Sequence, residues 1–244
     1  MLTNKEVFEK FETMHSYSFA TINNDYPEIR IAHLLTYDED GLYFQTMKVK
    51  PFYKQLIQTK KVAVLSLVAD SVKAEKDENG LSDFPPGFFI RIKGDVRELS
   101  FDELLEKEKT NSNFKGLVND IKRYPTMTTF VINKYSGEVY DYDFEKTSRE
   151  NKLDRKRFSF NSMVVEKAGF TIDKEKCIAC GSCEKVCTFK AIEIKGDYFS
   201  INGNYCDECG SCYVVCPVNA ITPKCEMLKE DKKQSKDILK KLYF

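Results

Sequence analysis

The sequence predicts a mainly β chain with helices, of the α+β class. A six-stranded antiparallel split barrel is expected over residues 1–145, then a small pseudo-twofold domain over 168–224. Two observations carry this prediction. Short strand-like runs broken by tight turn signals fill the first part, which favours antiparallel neighbours and, with so many short strands, a barrel. All nine cysteines fall between Cys177 and Cys225, and eight of them recur in two copies of one spacing, the mark of a duplicated unit.

In chain order, residues 4–14 place Val7, Phe8, Phe11 and Met14 at helical spacing, with Thr3 or Asn4 as the cap. YSFATI and EIRIAHLLTY read as strands around the turn NNDYP, and DEDG leads through a hairpin to GLYFQTM. KPFYKQLIQTK is a short helix with Pro51 in its first turn. KVAVLSLV is β-rich and could be buried on both faces, and residues 70–86 are polar and loop-like. GFFIRIKGDVREL is a strand with a bulge or bend at Gly94. SFDELLEKEKT has the capping-box pair Ser100 and Glu103. Two last strands are expected in TMTTFVINKYS and GEVYDYDFE. Residues 146–167 form a basic linker, a solvated surface strand being the alternative for 146–157. Residues 225–244 form a charged terminal helix.

The chemistry is concentrated in CIACGSCEKVC and CDECGSCYVVCP, two copies of C-x2-C-x2-C-x3-C. A cubane iron–sulfur cluster needs four converging thiolates. Three can come from one tight loop, and in two-cluster proteins the fourth is the last cysteine of the opposite run. Cys177, Cys180, Cys183 and Cys216 are therefore assigned to one [4Fe–4S] cluster, and Cys206, Cys209, Cys212 and Cys187 to the other. Gly181 and Gly210 fall in the same slot of each loop, where the backbone must turn tightly. A disulfide framework is disfavoured in a cytosolic chain. Zinc is disfavoured because its sites take cysteine pairs with longer gaps. Cys225 lies outside both repeats and reads as a structural or free thiol.

Composition narrows the rest. A hydrophobic content of 42% and a charged content of 31% suit an ordinary soluble protein. The net charge of zero gives no support for nucleic acid or an anionic membrane as partner. No apolar run is long enough to span a bilayer and the N-terminus lacks a signal-type core, so a cytoplasmic location is expected.

The order P-E-I-R-I-A, D-G-L-Y-F-Q-T-x-K-x-K, Y-K-Q-L and K-V-A-V resembles the FMN-binding split barrel of the pyridoxamine 5′-phosphate oxidase-like superfamily over about residues 1–145. Residues 168–224 resemble a bacterial two-[4Fe–4S] ferredoxin, with Thr188 where many such domains have proline. The first resemblance implies FMN at the interface of a homodimer formed through the barrel. Arg30, Ile31 and Ala32 would flank the isoalloxazine. Thr46, Lys48 and Lys50 would hold the phosphate, with Tyr53, Gln55 and Arg91 as further contacts. The paired arginine–lysine motif of the true oxidases and their C-terminal substrate residues are not matched. The resemblance therefore implies FMN binding, not oxidation of pyridoxamine phosphate. His15 and His33 read as packing or surface residues, although His33 could point toward the flavin.

Together the two parts imply an oxidoreductase that moves electrons between two [4Fe–4S] clusters and FMN. It would exchange electrons with a low-potential donor or acceptor and reduce a small molecule or redox partner. The alternatives are a non-enzymatic electron carrier between larger complexes, or a split barrel holding F420 or haem. The scarcity of histidine argues against His-ligated haem.

Overall fold

The computed structural model describes residues 2–13, 17–69, 75, 76, 78, 80, 82, 83, 87–142, 153–165, 169–225 and 227–243. The chain forms two compact units. The first is Met1–Val68 with Phe88–Val139 and Arg157–Val165; the second is Ala69–Gly87 with Tyr140–Lys156 and Glu166–Phe244.

In chain order the elements begin with α1 (Asn4–Glu12), β1 (Tyr17–Asn23), β2 (Tyr26–Ala32), β3 (Thr36–Asp38), β4 (Gly41–Met47), α2 (Pro51–Thr59) and β5 (Lys61–Ala69). Next come β6 (Glu75–Lys76), β7 (Ser82–Asp83), β8 (Gly87–Glu98), α3 (Phe101–Thr110), a 3-10 turn (Ser112–Phe114), α4 (Lys115–Arg123), β9 (Met127–Tyr142) and β10 (Leu153–Phe160). The rest are β11 (Thr171–Ile172), α5 (Ser182–Lys185), β12 (Ile192–Lys195), β13 (Tyr198–Ile201), α6 (Ser211–Val215), β14 (Ile221–Thr222) and α7 (Lys229–Tyr243).

The α+β class and the antiparallel pairing are as expected. The main sheet runs β2-β1-β5-β8-β9-β4-β3, with β10 also on β9. Among the described residues it has eight strands rather than six, and its path does not return to β2, so the barrel is split and not closed, as expected. The β1–β2 hairpin turns through Asn24 at φ 54, a left-handed position that asparagine tolerates. At the β3–β4 hairpin, Asp38 accepts from the Asp40 amide at 2.8 Å, and Gly41 lies so close to β9 that a Cβ would fall 2.2 Å from the Ile132 oxygen. Thr3 caps α1 and Ser100 caps α3, each in a full capping box. Val7, Phe8 and Phe11 of α1 pack into a core with Phe19, Phe44, Phe52, Phe130 and Ile132. Met14 and His15 lie outside the described residues.

Four expectations change. The run 61–68 is buried on one face only: Val62 and Val64 point inward while Leu65 and Leu67 are exposed. The two expected last strands are one strand, β9, because Gly137 lets β9 approach the Arg91 oxygen, which a Cβ at that position would meet at 2.3 Å. Gly94 marks a similar close approach, to the Lys134 oxygen. Residues 115–123 form α4, an unanticipated helix whose Leu117 and Val118 pack with Tyr43, Leu104 and Phe114. The stretch 153–160, expected within a linker, is strand β10; Arg155 on it is buried and the Arg157 side chain nearly so. Residues 143–152 lie outside the described residues.

The second unit carries the repeat. Ile172 pairs with Ile221 across β11–β14, and Ile201 pairs with Ile192 across β12–β13; each residue of one pair is 29 positions from one in the other. The same offset links the bond from the Asp173 amide to the Ala220 oxygen with that from the Asn202 amide to the Ala191 oxygen. The α7 helix buries no residue and rests Lys232 over the Tyr213 ring at 3.7 Å. Among the described residues, no helix is long and apolar enough to cross a membrane.

Candidate functional site

Each cysteine run becomes a loop with two left-handed residues. Ala179 and Gly181 have φ 51 and 75; Glu208 and Gly210 have φ 63 and 82. Such turns fold three consecutive ligands toward one side and expose a concave row of amides. The third cysteine of each run, Cys183 or Cys212, then lies on the short helix α5 or α6.

The packing groups cysteines of the two runs together. Cys177, Cys180, Cys183 and Cys216 line one cavity with Ile172, Phe199, Pro217 and Ile221. The fourth member therefore comes from the other run. For the second quartet, Cys206, Cys209 and Cys187 lie close enough to the Cys212 thiol for their ionisation to raise it. Backbone amides reach the sulfurs in matching places: Ala191 to Cys187 at 3.3 Å and Ala220 to Cys216 at 3.2 Å. The Glu208 amide reaches Cys206 at 3.3 Å. Such bonds tune cluster potentials. Among the described residues, no three His, Cys, Asp or Glu are grouped so as to hold a single metal ion. Four thiols around an apolar cavity fit a cubane.

Burial pushes the metal-free Cys183 thiol up to about 11 and the Cys212 thiol up to about 12. Hydrogen bonding to Ser182 lowers that of the exposed Cys180. Ligation requires thiolates, so cluster assembly must release protons from the buried pair, and iron supplies the charge that overrides burial.

In the first unit, Arg30, Lys48 and Arg91, three of the four cations expected to contact a flavin, already hold carboxylates of the chain. Arg30 donates to Thr21 at 2.6 Å, to Gln55 at 3.0 Å and to Glu28 at 3.1 Å, and it stacks 4.4 Å from the Phe52 ring centre. Gln55 in turn donates to Glu28 at 2.8 Å. Lys48 is 3.2 Å from Glu98, and the Tyr53 hydroxyl donates to the same carboxylate at 3.1 Å. Thr46 is buried at the end of β4 opposite Thr128, whose hydroxyl also donates to Glu98. Lys50 is exposed at the start of α2. Arg91 pairs with the buried Glu138 at 2.7 Å. Ile31 is exposed on the outer sheet face, Ala32 is half-buried, and the exposed His33 meets the edge of Tyr17.

The structure thus brings Lys48 and Tyr53 together on Glu98, and Arg30 and Gln55 together on Glu28. It leaves Arg91 in a third group. Sequence reasoning missed both organising carboxylates. Glu28 was within reach, being two residues from Arg30 on the same strand face. Glu98 becomes a neighbour only through the tertiary packing of β8 against β9 and α2.

Residues 170–223 match the family model described as a 4Fe-4S dicluster domain. No curated protein matches the chain. Among solved structures, it is similar to a NimC/NimA family protein from Clostridium acetobutylicum, at 19% identity over 64% of this chain and 91% of that one, with a TM-score of 0.45. It is also similar to a FAD-binding protein from Mesorhizobium loti, at 14% identity over 57% and 95%, with a TM-score of 0.38. A third is HutZ, a heme storage protein from Vibrio cholerae, at 10% identity over 55% and 90%, with a TM-score of 0.36.

Proposed function

We propose that this chain is an iron–sulfur flavoprotein oxidoreductase. In this reading, two [4Fe–4S] clusters in the second unit exchange electrons with an FMN held by the first, which reduces a small molecule or a redox partner. The observation that carries it is the cavity lined by Cys177, Cys180, Cys183 and Cys216, four thiols drawn from both runs. FMN, when bound, would accept electrons singly and deliver them in pairs.

The chain's own residues supply the setting for a flavin phosphate. Lys48 and Lys50 lie just before the N-terminus of α2, where the helix dipole favours an anion. Lys48 and Tyr53 must exchange Glu98 for the phosphate, so Glu98 is an internal competitor. Arg30 offers a positive guanidinium held in place by Thr21, Gln55 and Phe52.

A homodimer through the first unit belongs to the same reading. Ile29, Ile31, Leu65 and Leu67 are 70%, 63%, 45% and 62% exposed. They lie on one face of β2-β1-β5 beside Ala20 and Ala63. A contiguous apolar face of this kind marks an interaction surface. Ile29→Glu should dissociate the dimer in sedimentation equilibrium; a wild-type monomer at all concentrations would refute it.

Anaerobic purification with assay of iron, sulfide and extractable flavin tests the whole. About eight iron and about one FMN per chain are expected. A second reading, an electron carrier working through its clusters alone, is favoured by the carboxylates already engaged with Arg30, Lys48 and Arg91. About eight iron with no flavin retained after reconstitution would select it.

A further inference from the structure

The two cysteine loops obey the 29-residue repeat in their ligands and left-handed turns, but not in what lies between the first two ligands. In the first run these residues are Ile178 and Ala179. In the second they are Asp207 and Glu208, and the chain holds both carboxylates. The Tyr140 hydroxyl donates to Asp207 at 2.8 Å. Glu208 accepts from the Gly169 amide at 2.9 Å and pairs with Lys224 at 2.7 Å. Its other oxygen is 3.5 Å from Nη1 of Arg155.

Arg155 is only 7% exposed. Its amide donates to the Asn204 oxygen at 2.8 Å and its Nη1 to the Cys206 oxygen at 3.4 Å. Its guanidinium lies 5.1 Å from the centre of the Tyr140 ring. A fixed cation therefore touches the backbone of a cluster ligand, and a carboxylate that answers it, shared with Lys224, belongs to the residue whose amide donates to the Cys206 sulfur.

We propose that Arg155 is a positioning residue that sets the potential of the second cluster, held by Cys206, Cys209, Cys212 and Cys187, apart from that of the first. A reduced cluster carries one more negative charge than an oxidised one. A buried cation beside it favours reduction, and a buried anion opposes it. With Arg155 paired to Glu208, the second cluster is held between these limits. The first loop has no charged residue at the equivalent positions. The proposal rests on the cluster ligands and is independent of the flavin.

The test is a redox titration of the clusters followed by electron paramagnetic resonance, on the full chain loaded with iron and sulfide. Arg155→Gln should leave one cluster wave in place and make the other harder to reduce. At a fixed applied potential near its midpoint, the ratio of reduced to oxidised second cluster should fall about tenfold. Glu208→Gln should move the same wave the opposite way, and the double variant should return it toward wild type. Arg155→Lys keeps the charge and should shift the wave less than Arg155→Gln. A purely structural role predicts that both single variants loosen the loop and move the wave in the same direction, which would overturn the proposal. So would equal movement of both waves, or no movement in Glu208→Gln, a variant that leaves Arg155 in place.

Discussion

The cysteine loops of the second unit and the cationic contacts of the first were both legible as candidate sites, yet they are built in opposite ways. Cys177, Cys180, Cys183 and Cys216 line an apolar cavity, and burial raises the Cys183 and Cys212 thiols. The cations Arg30, Lys48 and Arg91 each meet a carboxylate of the chain itself. The difference follows from charge. A neutral thiol can wait in an apolar cavity at little cost, whereas a partly buried guanidinium or ammonium needs a counter-charge at once. One thiol quartet lines an open cavity, whereas Arg30, Lys48 and Arg91 already have carboxylate partners.

The most severe way to break the first half of this comparison is to remove ligands in pairs. Cys177→Ala with Cys216→Ala removes two ligands of one predicted cluster, and about four iron should remain. Cys177→Ala with Cys187→Ala strikes both clusters and should leave almost none. Equal iron in the two double variants would mean that the runs do not exchange their fourth ligands.

The next largest effect is a pH dependence that differs between the metal-free and loaded protein. Cys183 and Cys212 have folded-state values near 11 and 12, above the ordinary 9 of a thiol. A raised value means that the folded, metal-free state holds its protons more tightly than the unfolded chain. The stabilisation is complete below about pH 9 and is lost as pH rises toward about 11–12. Thermal melts of metal-free protein should fall across that window. With clusters bound the thiols are already thiolates, so this contribution should vanish. A metal-free melting curve flat between about pH 8 and about pH 11 would show that burial of these thiols does not govern stability.

How much of this was readable beforehand depends on the range of the contacts. The repeated spacing of the two cysteine runs was readable because each run lies within eleven residues and the 29-residue offset is internal to the sequence. The caps at Thr3 and Ser100 were readable because a capping box spans four residues. Glu98 on Lys48 and Tyr53 was not, because the three come from β8, the loop after β4 and α2. A surface strand was the alternative for 146–157, but the burial of β10 was hidden for a related reason. Its Arg155 and Arg157 look like linker residues until Glu208 and Glu138 are in place to neutralise them, and those partners lie 53 and 19 positions away. The unanticipated α4 carries only two buried residues, Leu117 and Val118, too short an apolar stripe to stand out.

Glu98 is where the second half of the comparison can be sharpened. Glu98→Gln removes the charge that engages Lys48 and leaves a side chain of the same shape. If an FMN phosphate competes for that lysine, FMN should bind about tenfold tighter, roughly the worth of one charge-assisted contact. Lys48→Met should weaken binding by a similar factor. Titration of flavin fluorescence quenching reads both. Equal affinity in wild type and Glu98→Gln would mean that Glu98 only braces the structure and that the phosphate goes elsewhere.

The smallest expected effect concerns whether the two cysteine loops are as pre-shaped as their turns imply. Gly181 and Gly210 are both left-handed, and a Cβ would meet nothing within 4 Å at Gly181 and only Phe170 at 3.8 Å at Gly210. Alanine at either should therefore cost the backbone penalty alone, about 1–2 kcal/mol. Gly169 is also left-handed, at φ 69, but its Cβ would lie 3.2 Å from Cys206 Cβ and 3.3 Å from its sulfur. Gly169→Ala should pay the same backbone cost and also crowd a ligand. Its loaded protein should melt below both of the others and release iron to a chelator faster. If Gly169→Ala were no worse than Gly181→Ala, the loop at Cys206 would have room to shift, and the second cluster site would be less rigid than its contacts require.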